Sequence, residues 1–195
     1  MNTSIKFTAL AMLLSVSGLA SAAADAPANP YAGQELRAIK ALSDQDVSSL
    51  LAGKGAALAK AAELNGYPGP THVLELAEPL RLSAAQVEAT RQLMTAHNGR
   101  ARQLGAELVA SEQALDALFS KSEASPALVD QATQRVGVLQ ARLRAEHLTT
   151  HLMQTALLSA EQAGRYSVLR GYAKPAADPA TTPEMDHTPG TVHHH

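Results

Sequence analysis

The stretch that decides the fold is residues 83–121, SAAQVEATRQLMTAHNGRARQLGAELVASEQALDALFSK. Ser83 and Gln86 occupy the first and fourth positions of a capping box: the serine hydroxyl accepts from the N3 amide while the N3 side chain reaches back to the cap. Leu82 precedes them as a hydrophobic staple. The helix they start is expected to run from Ala84 to about Lys121, roughly 57 Å at 1.5 Å per residue. Two lines repeat along it every seven residues. One is Val87, Met94, Ala101, Leu108 and Leu115; the other is Thr90, His97, Leu104, Ser111 and Leu118. Ser125-Pro126 then supplies a new cap and an N1 proline, and a second long helix follows to about Leu157. Its matching line is Val129, Ala132, Val136, Leu139, Leu143, Thr150, Met153 and Leu157, interrupted by Glu146. The short link makes the two helices antiparallel neighbours with a left-handed seam. The expected fold is all-α: an elongated antiparallel helical hairpin with short flanking helices. Thr90, Ala101, Ser111 and Ala132 are small, so the seam buries little apolar area. The hairpin therefore calls for packing against the segments from Ser43 to Leu80, against a second copy in a homodimer, or both.

Outward from the hairpin, Ser43-Asp44-Gln45-Asp46 starts a short helix that runs through Leu50 and Leu51 toward Gly53. Another is expected from Ala56 to Leu64, stopping at Asn65-Gly66 before Pro68 and Pro70. Thr71 is expected to cap a piece from His72 to Leu80. After the hairpin, Leu158-Ser159-Ala160-Glu161-Gln162 repeats the pattern Leu82-Ser83-Ala84-Ala85-Gln86, and its helix runs to Arg170 and stops at Gly171.

The two ends read differently. Lys6, an apolar run from Phe7 to Ala20, and Ala20-Ser21-Ala22 make a secretory signal peptide over residues 1–22, with cleavage after Ala22 or Ala24. No later stretch reaches the roughly 20 apolar residues of a membrane helix, so an exported, periplasmic protein without a membrane span after cleavage is expected. Residues 173–195 carry four prolines, almost no large apolar residue and the tract His193 to His195, and read as a disordered tail. The domain that folds is expected over residues 31–172. Composition agrees: 39 Ala and 27 Leu in 195 residues, with 3% aromatic residues, favour helix over sheet. The absence of cysteine excludes disulfides, thiolate nucleophiles and zinc–thiolate sites. A formal charge of −2 gives no basic excess for nucleic acid.

The two Leu-Ser-x-x-Gln motifs about a hairpin, behind a signal peptide and without cysteine, resemble the Spy/CpxP superfamily of periplasmic stress proteins. That group includes the zinc-resistance-associated proteins and the periplasmic heavy-metal sensors. The stretch from Ala62 to Leu76 and the ending Leu169-Arg170-Gly171-Tyr172 resemble a branch of it. The resemblance covers residues 43 to 172. It implies a helical, often dimeric, non-enzymatic protein that acts as an ATP-independent chaperone, a stress-response regulator or a metal sensor. Its partners would be an envelope sensor protein or unfolded periplasmic clients.

The residues carry one constellation of their own. His147 and His151, four apart, lie on one helical face as a two-imidazole clamp needs. Counting back from the turn places His97 at the same level on the first helix, so His97, His147 and His151 form the candidate metal site. His72, Met94 and Glu146 are further candidates, Glu146 as a ligand or as the group that orients an imidazole. Imidazole donors accept zinc, nickel, cobalt or copper. Some sensors of the resembled group use His-x3-His and His-x3-Met pairs, of which only the first spacing occurs here. The same histidines also fit plainer roles, His97 as a polar residue that sets helix register and His147 and His151 as a solvated flank beside Arg144. From Arg81 to Arg170 ten basic and eight acidic residues form a mixed face that is ordinary for solvated helices. No nucleophile elbow, phosphate loop or dinucleotide fingerprint is present, and an enzyme is not expected.

Overall fold

The computed structural model describes residues 29–55 and 57–174. The expected signal peptide and nearly all of the expected tail lie outside the described residues. Among the described residues the protein is all-helical, with six α-helices and no strand. The chain divides into two units at Glu35 and Leu36. Of the first, the described part is a turn in which Asn29 Oδ1 accepts from the Tyr31 amide at 3.0 Å and Gln34 Nε2 donates to the Pro30 carbonyl at 2.8 Å. A 3-10 turn, Gln34–Leu36, falls at the division, and all six helices belong to the second unit.

The helices are α1 (Asp44–Leu51), α2 (Lys60–Glu63), α3 (Pro70–Glu75), α4 (Ala84–Ser120), α5 (Pro126–Ala156) and α6 (Ala160–Leu169). Three start at reciprocal capping boxes. Ser43 Oγ accepts from the Asp46 amide at 3.1 Å while Asp46 returns a carboxylate to the Ser43 amide at 3.0 Å. Ser83 with Gln86 and Ser159 with Gln162 repeat this, the hydroxyl bonds both 3.1 Å. The two glutamines then bond to each other. Gln86 Nε2 donates to Gln162 Oε1 at 2.8 Å and to the Leu157 carbonyl at 2.9 Å; Gln162 Nε2 donates to Gln86 Oε1 at 3.1 Å and to the Leu80 carbonyl at 3.3 Å. Leu157 is the C-cap of α5, so this pair also satisfies one of the carbonyls that every helix end leaves open.

α4 and α5 make the largest helix–helix interface, with α1 and α3 against α4 and α2 and α3 against α5. Thr90 meets Gln154, and His97 meets Glu146 and Thr150, so the partner numbers fall on α5 as they climb on α4. Ala101, Leu108, Val136, Leu139 and Leu143 form one apolar cluster, against which Leu50, Leu58, Leu104 and Leu115 pack. Val73, Leu80 and Tyr166 form a second, with Leu76, Leu82 and Leu158 around it. Leu82 and Leu158, the residues before the two capping boxes, thus share one core.

Several expectations are corrected. Met153 is 49% exposed, and the buried line of α5 continues from Thr150 to Gln154 instead, because Gln154 reaches Thr90 across the seam. Leu93, Gly105 and Glu112 are buried although they lie off the two seven-residue lines. They widen the buried stripe of α4 toward its other neighbours. A Cβ at Gly105 would overlap the Leu50 carbonyl at the end of α1, so glycine is what lets that end settle on α4. The expected helix from Ala56 to Leu64 is only Lys60–Glu63, since Ala57 takes φ +70° and the chain turns there. Thr71 is not a cap: Gly69 is the N-cap, Pro70 takes N1, and α3 ends at Glu75 rather than Leu80. Proline has no amide to satisfy and a φ already helical, which places the helix start one residue before Thr71.

Candidate metal centre

The α4–α5 register brings His97 against Glu146, His147 and Thr150. His97 is buried, and its Nδ1 lies 3.1 Å from Glu146 Oε1 and 3.0 Å from Thr150 Oγ1. The Thr150 hydroxyl already donates to the Glu146 carbonyl at 2.8 Å, so toward His97 it acts as an acceptor. Burial pushes the Glu146 carboxyl up, but hydrogen bonds from Arg100 Nε (2.9 Å) and His97 outweigh that and hold it below the ordinary glutamate value. With an ionised carboxylate and a hydroxyl oxygen facing it, His97 Nδ1 carries the proton, and in the neutral ring Nε2 then carries the lone pair. Glu146 is therefore placed to orient an imidazole, as carboxylates behind metal-binding histidines do.

His147 stands edge-on to His97, ring centroids 4.6 Å apart and planes at 73°. Burial first, then the neighbouring His97, lower its pKa from 6.5 to about 4, so it is neutral at pH 7. Its Nε2 is buried and has no hydrogen-bond partner. The backbone at Gly55 lies against the ring; a Cβ there would sit 3.0 Å from both Cε1 and Nδ1.

His151, one turn further on, approaches a different set of groups. Its Nδ1 is 2.8 Å from the Tyr67 carbonyl, which can only accept, so again the proton is on Nδ1 and the lone pair on Nε2. A Cβ at Gly69 would lie 2.8 Å from His151 Cε1, which makes glycine necessary where the loop before α3 crosses the ring. Glu63 of α2 faces the same imidazole, with Oε2 3.7 Å from Nδ1, and faces His72 with Oε1 3.7 Å from its Nδ1. Oε1 also accepts from Tyr166 at 2.5 Å and Tyr172 at 3.1 Å, with Arg170 Nε 3.5 Å away. Burial and the Glu63 carboxylate together raise the Tyr166 phenol well above its ordinary value, which keeps it a donor.

An open cavity of about 650 Å³ joins these groups. His72, His97, His147 and His151 all line it, with Glu63, Thr150 and Tyr172. The three histidines of the candidate site thus share one cleft, while His97 and His147 touch and His151 stands apart with Glu63. His72 reaches the same cleft from α3. Glu146 stands behind His97. Met94 takes the Thr71 hydroxyl on its sulfur at 3.8 Å and is not part of the lining. Glu63 has no counterpart among the sequence-derived candidates. Its one cue is that it is the sole acidic residue between Asp46 and Glu75.

Among the described residues no three His, Cys, Asp or Glu side chains come together as a group that could hold a metal ion. The imidazoles lining the cleft are donors of the kind that borderline cations take. Two imidazoles direct Nδ1 at acceptors, which puts the lone pair of the neutral ring on Nε2 (at His151 against the Gly69 backbone), and the third has a buried Nε2 with nothing bonded to it. No protein-family model matches the chain, and neither a curated protein nor a solved structure matches it.

Proposed function

We propose that this protein binds a transition-metal ion (zinc, nickel, cobalt or copper) through the Nε2 atoms of His97, His147 and His151, with His72 as a further donor from α3. The observation that carries the reading is His147: a neutral, buried imidazole whose Nε2 lacks any partner, at a cleft lined by three more histidines. An orphaned polar atom of this kind costs about 1–3 kcal/mol, a cost that a bound cation removes. The bound ion would act as a cross-link between α4 and α5 and not as a Lewis acid for a substrate. The role is non-enzymatic: metal binding or sensing in envelope stress or heavy-metal resistance, in the periplasm, on an elongated antiparallel hairpin that pairs as a homodimer and reports to an envelope sensor. The resemblance of the two Leu-Ser-x-x-Gln motifs supports that setting.

The test is calorimetric titration with zinc, nickel and copper in a background where His187, His193, His194 and His195 are replaced by Ala. One saturable site that is lost in His147→Ala/His151→Ala supports the reading. No saturable binding, or unchanged affinity in that double variant, refutes it.

A second reading is an ATP-independent chaperone without metal dependence. Val138 and Leu152 favour it: they are 51% and 53% exposed and lie fourteen residues apart, hence at the same position of the seven-residue repeat on the outer face of α5. Suppression of client aggregation at equimolar protein, unaffected by a chelator and lost in Val138→Ser/Leu152→Ser, would establish that reading. No suppression would remove it.

A further inference from the structure

Glu63 stands between the histidine cleft and the last helix. Toward the cleft, its Oε2 is 3.7 Å from His151 Nδ1 and its Oε1 is 3.7 Å from His72 Nδ1. Toward the other side, its Oε1 holds the hydroxyl of Tyr166 in α6, the hydroxyl of Tyr172 just beyond α6, and lies 3.5 Å from Arg170 Nε. The two sides are unequal in one respect. Oε1 has two hydrogen-bond donors, whereas Oε2 is buried with none. His151 gives its Nδ1 proton to the Tyr67 carbonyl at 2.8 Å, with Glu63 Oε2 waiting at ion-pair range.

From this asymmetry we infer that Glu63 transmits occupancy of the cleft to α6. The inference rests on the metal reading above. When the His151 Nε2 lone pair is drawn onto a cation, positive charge rises across the ring, and the Nδ1–H becomes a stronger donor. The uncompensated acceptor beside it is Glu63 Oε2. A stronger pull there fixes the carboxylate, and the carboxylate in turn holds Tyr166, the fully buried side chain that anchors α6 in the second apolar cluster. Metal binding at α4–α5 then tightens a helix that contributes no ligand. Coupling of this kind is reciprocal: whatever loosens the Glu63–Tyr166 contact also weakens metal binding by the same factor. Glu63 is a positioning residue in this scheme, and α6 is the output.

The experiment is hydrogen exchange of the α6 amides, Ala160 to Leu169, with and without saturating Zn²⁺, in the full chain with the four tail histidines replaced by Ala. Zinc should slow α6 exchange by about threefold or more. Tyr166→Phe keeps the ring in the core and removes the hydroxyl. It should still saturate with zinc, about threefold to tenfold more weakly, and its α6 exchange should no longer respond. Tyr172→Phe, at a half-exposed site, keeps the experiment readable should the core variant fold poorly, and should reduce the response. Zinc that binds the wild type without changing α6 exchange overturns the coupling and leaves the metal site standing. So does a full response in both phenylalanine variants. Zinc that does not bind at all overturns the metal reading and the coupling with it.

Discussion

Acid should destabilise this protein through one imidazole. His147 has a folded pKa of about 4 against 6.5 for an unperturbed histidine, because burial and His97 oppose its charge. Between those values the unfolded chain binds the proton and the folded chain does not, so stability falls as pH falls. The contribution is fully present above pH 6.5 and is lost as pH drops toward 4. Linkage puts the loss at about 2 kcal/mol by pH 5 and about 3 kcal/mol by pH 4. For a folded region of this size that is about 10 °C in Tm at the lower pH. The assay is urea unfolding followed by circular dichroism from pH 8 to 4, with a chelator present, on wild type and His147→Leu. The variant cannot titrate at this position and fills the site with apolar volume. Its stability should fall less steeply, by the same 2 kcal/mol at pH 5. Parallel pH profiles for the two proteins would refute the argument, since they would mean that His147 is hydrated or paired in the fold.

Other outcomes follow from single contacts. Gly105→Ala should destabilise by about 2 kcal/mol in urea melts, because the overlap with the Leu50 carbonyl outweighs the roughly 1 kcal/mol that alanine adds to helix propensity. Gln86→Ala and Gln162→Ala should each cost about 1–3 kcal/mol, and a double-mutant cycle should return a coupling of about 1 kcal/mol. Additive losses would mean that the two capping boxes act independently. Glu112 is buried, and desolvation raises its pKa, so its ionised form opposes folding at neutral pH while its protonated form does not. Glu112→Gln should therefore raise the urea midpoint at pH 7, with the gain shrinking as pH falls toward the ordinary glutamate range.

What was legible in the sequence was local or countable. Ser83 with Gln86 and Ser159 with Gln162 announce helix starts because a capping box needs only four consecutive residues. The level of His97 beside His147 and Thr150 follows from counting equal distances from a turn near residues 122 to 125 along two helices of fixed rise. The failures have physical causes as well. Ala57 looks like a helix former, but the fold holds it at positive φ, and propensity yields to that constraint. Thr71 looks like a cap, but Pro70 is better suited to N1 and shifts the start. Met153 fits a strict seven-residue count, whereas the seam follows the polar contact of Gln154 with Thr90. Glu63 was out of reach for a different reason: His151, Tyr166 and Tyr172 lie more than eighty residues from it in sequence, and no periodicity links them. Local pattern finds the imidazoles; only packing finds the carboxylate that stands behind one of them.

If the Nε2 atoms of His97, His147 and His151 take up a cation, imidazole nitrogen resonances read it atom by atom. In uniformly ¹⁵N-labelled protein with the four tail histidines replaced by Ala, long-range proton–nitrogen spectra should first show His97 and His151 protonated at Nδ1. On adding one equivalent of Zn²⁺, the Nε2 resonances of His97, His147 and His151 should shift together and saturate together, while Nδ1 of His97 and His151 stays protonated. Spectra in which these three Nε2 resonances do not move would contradict the claim directly.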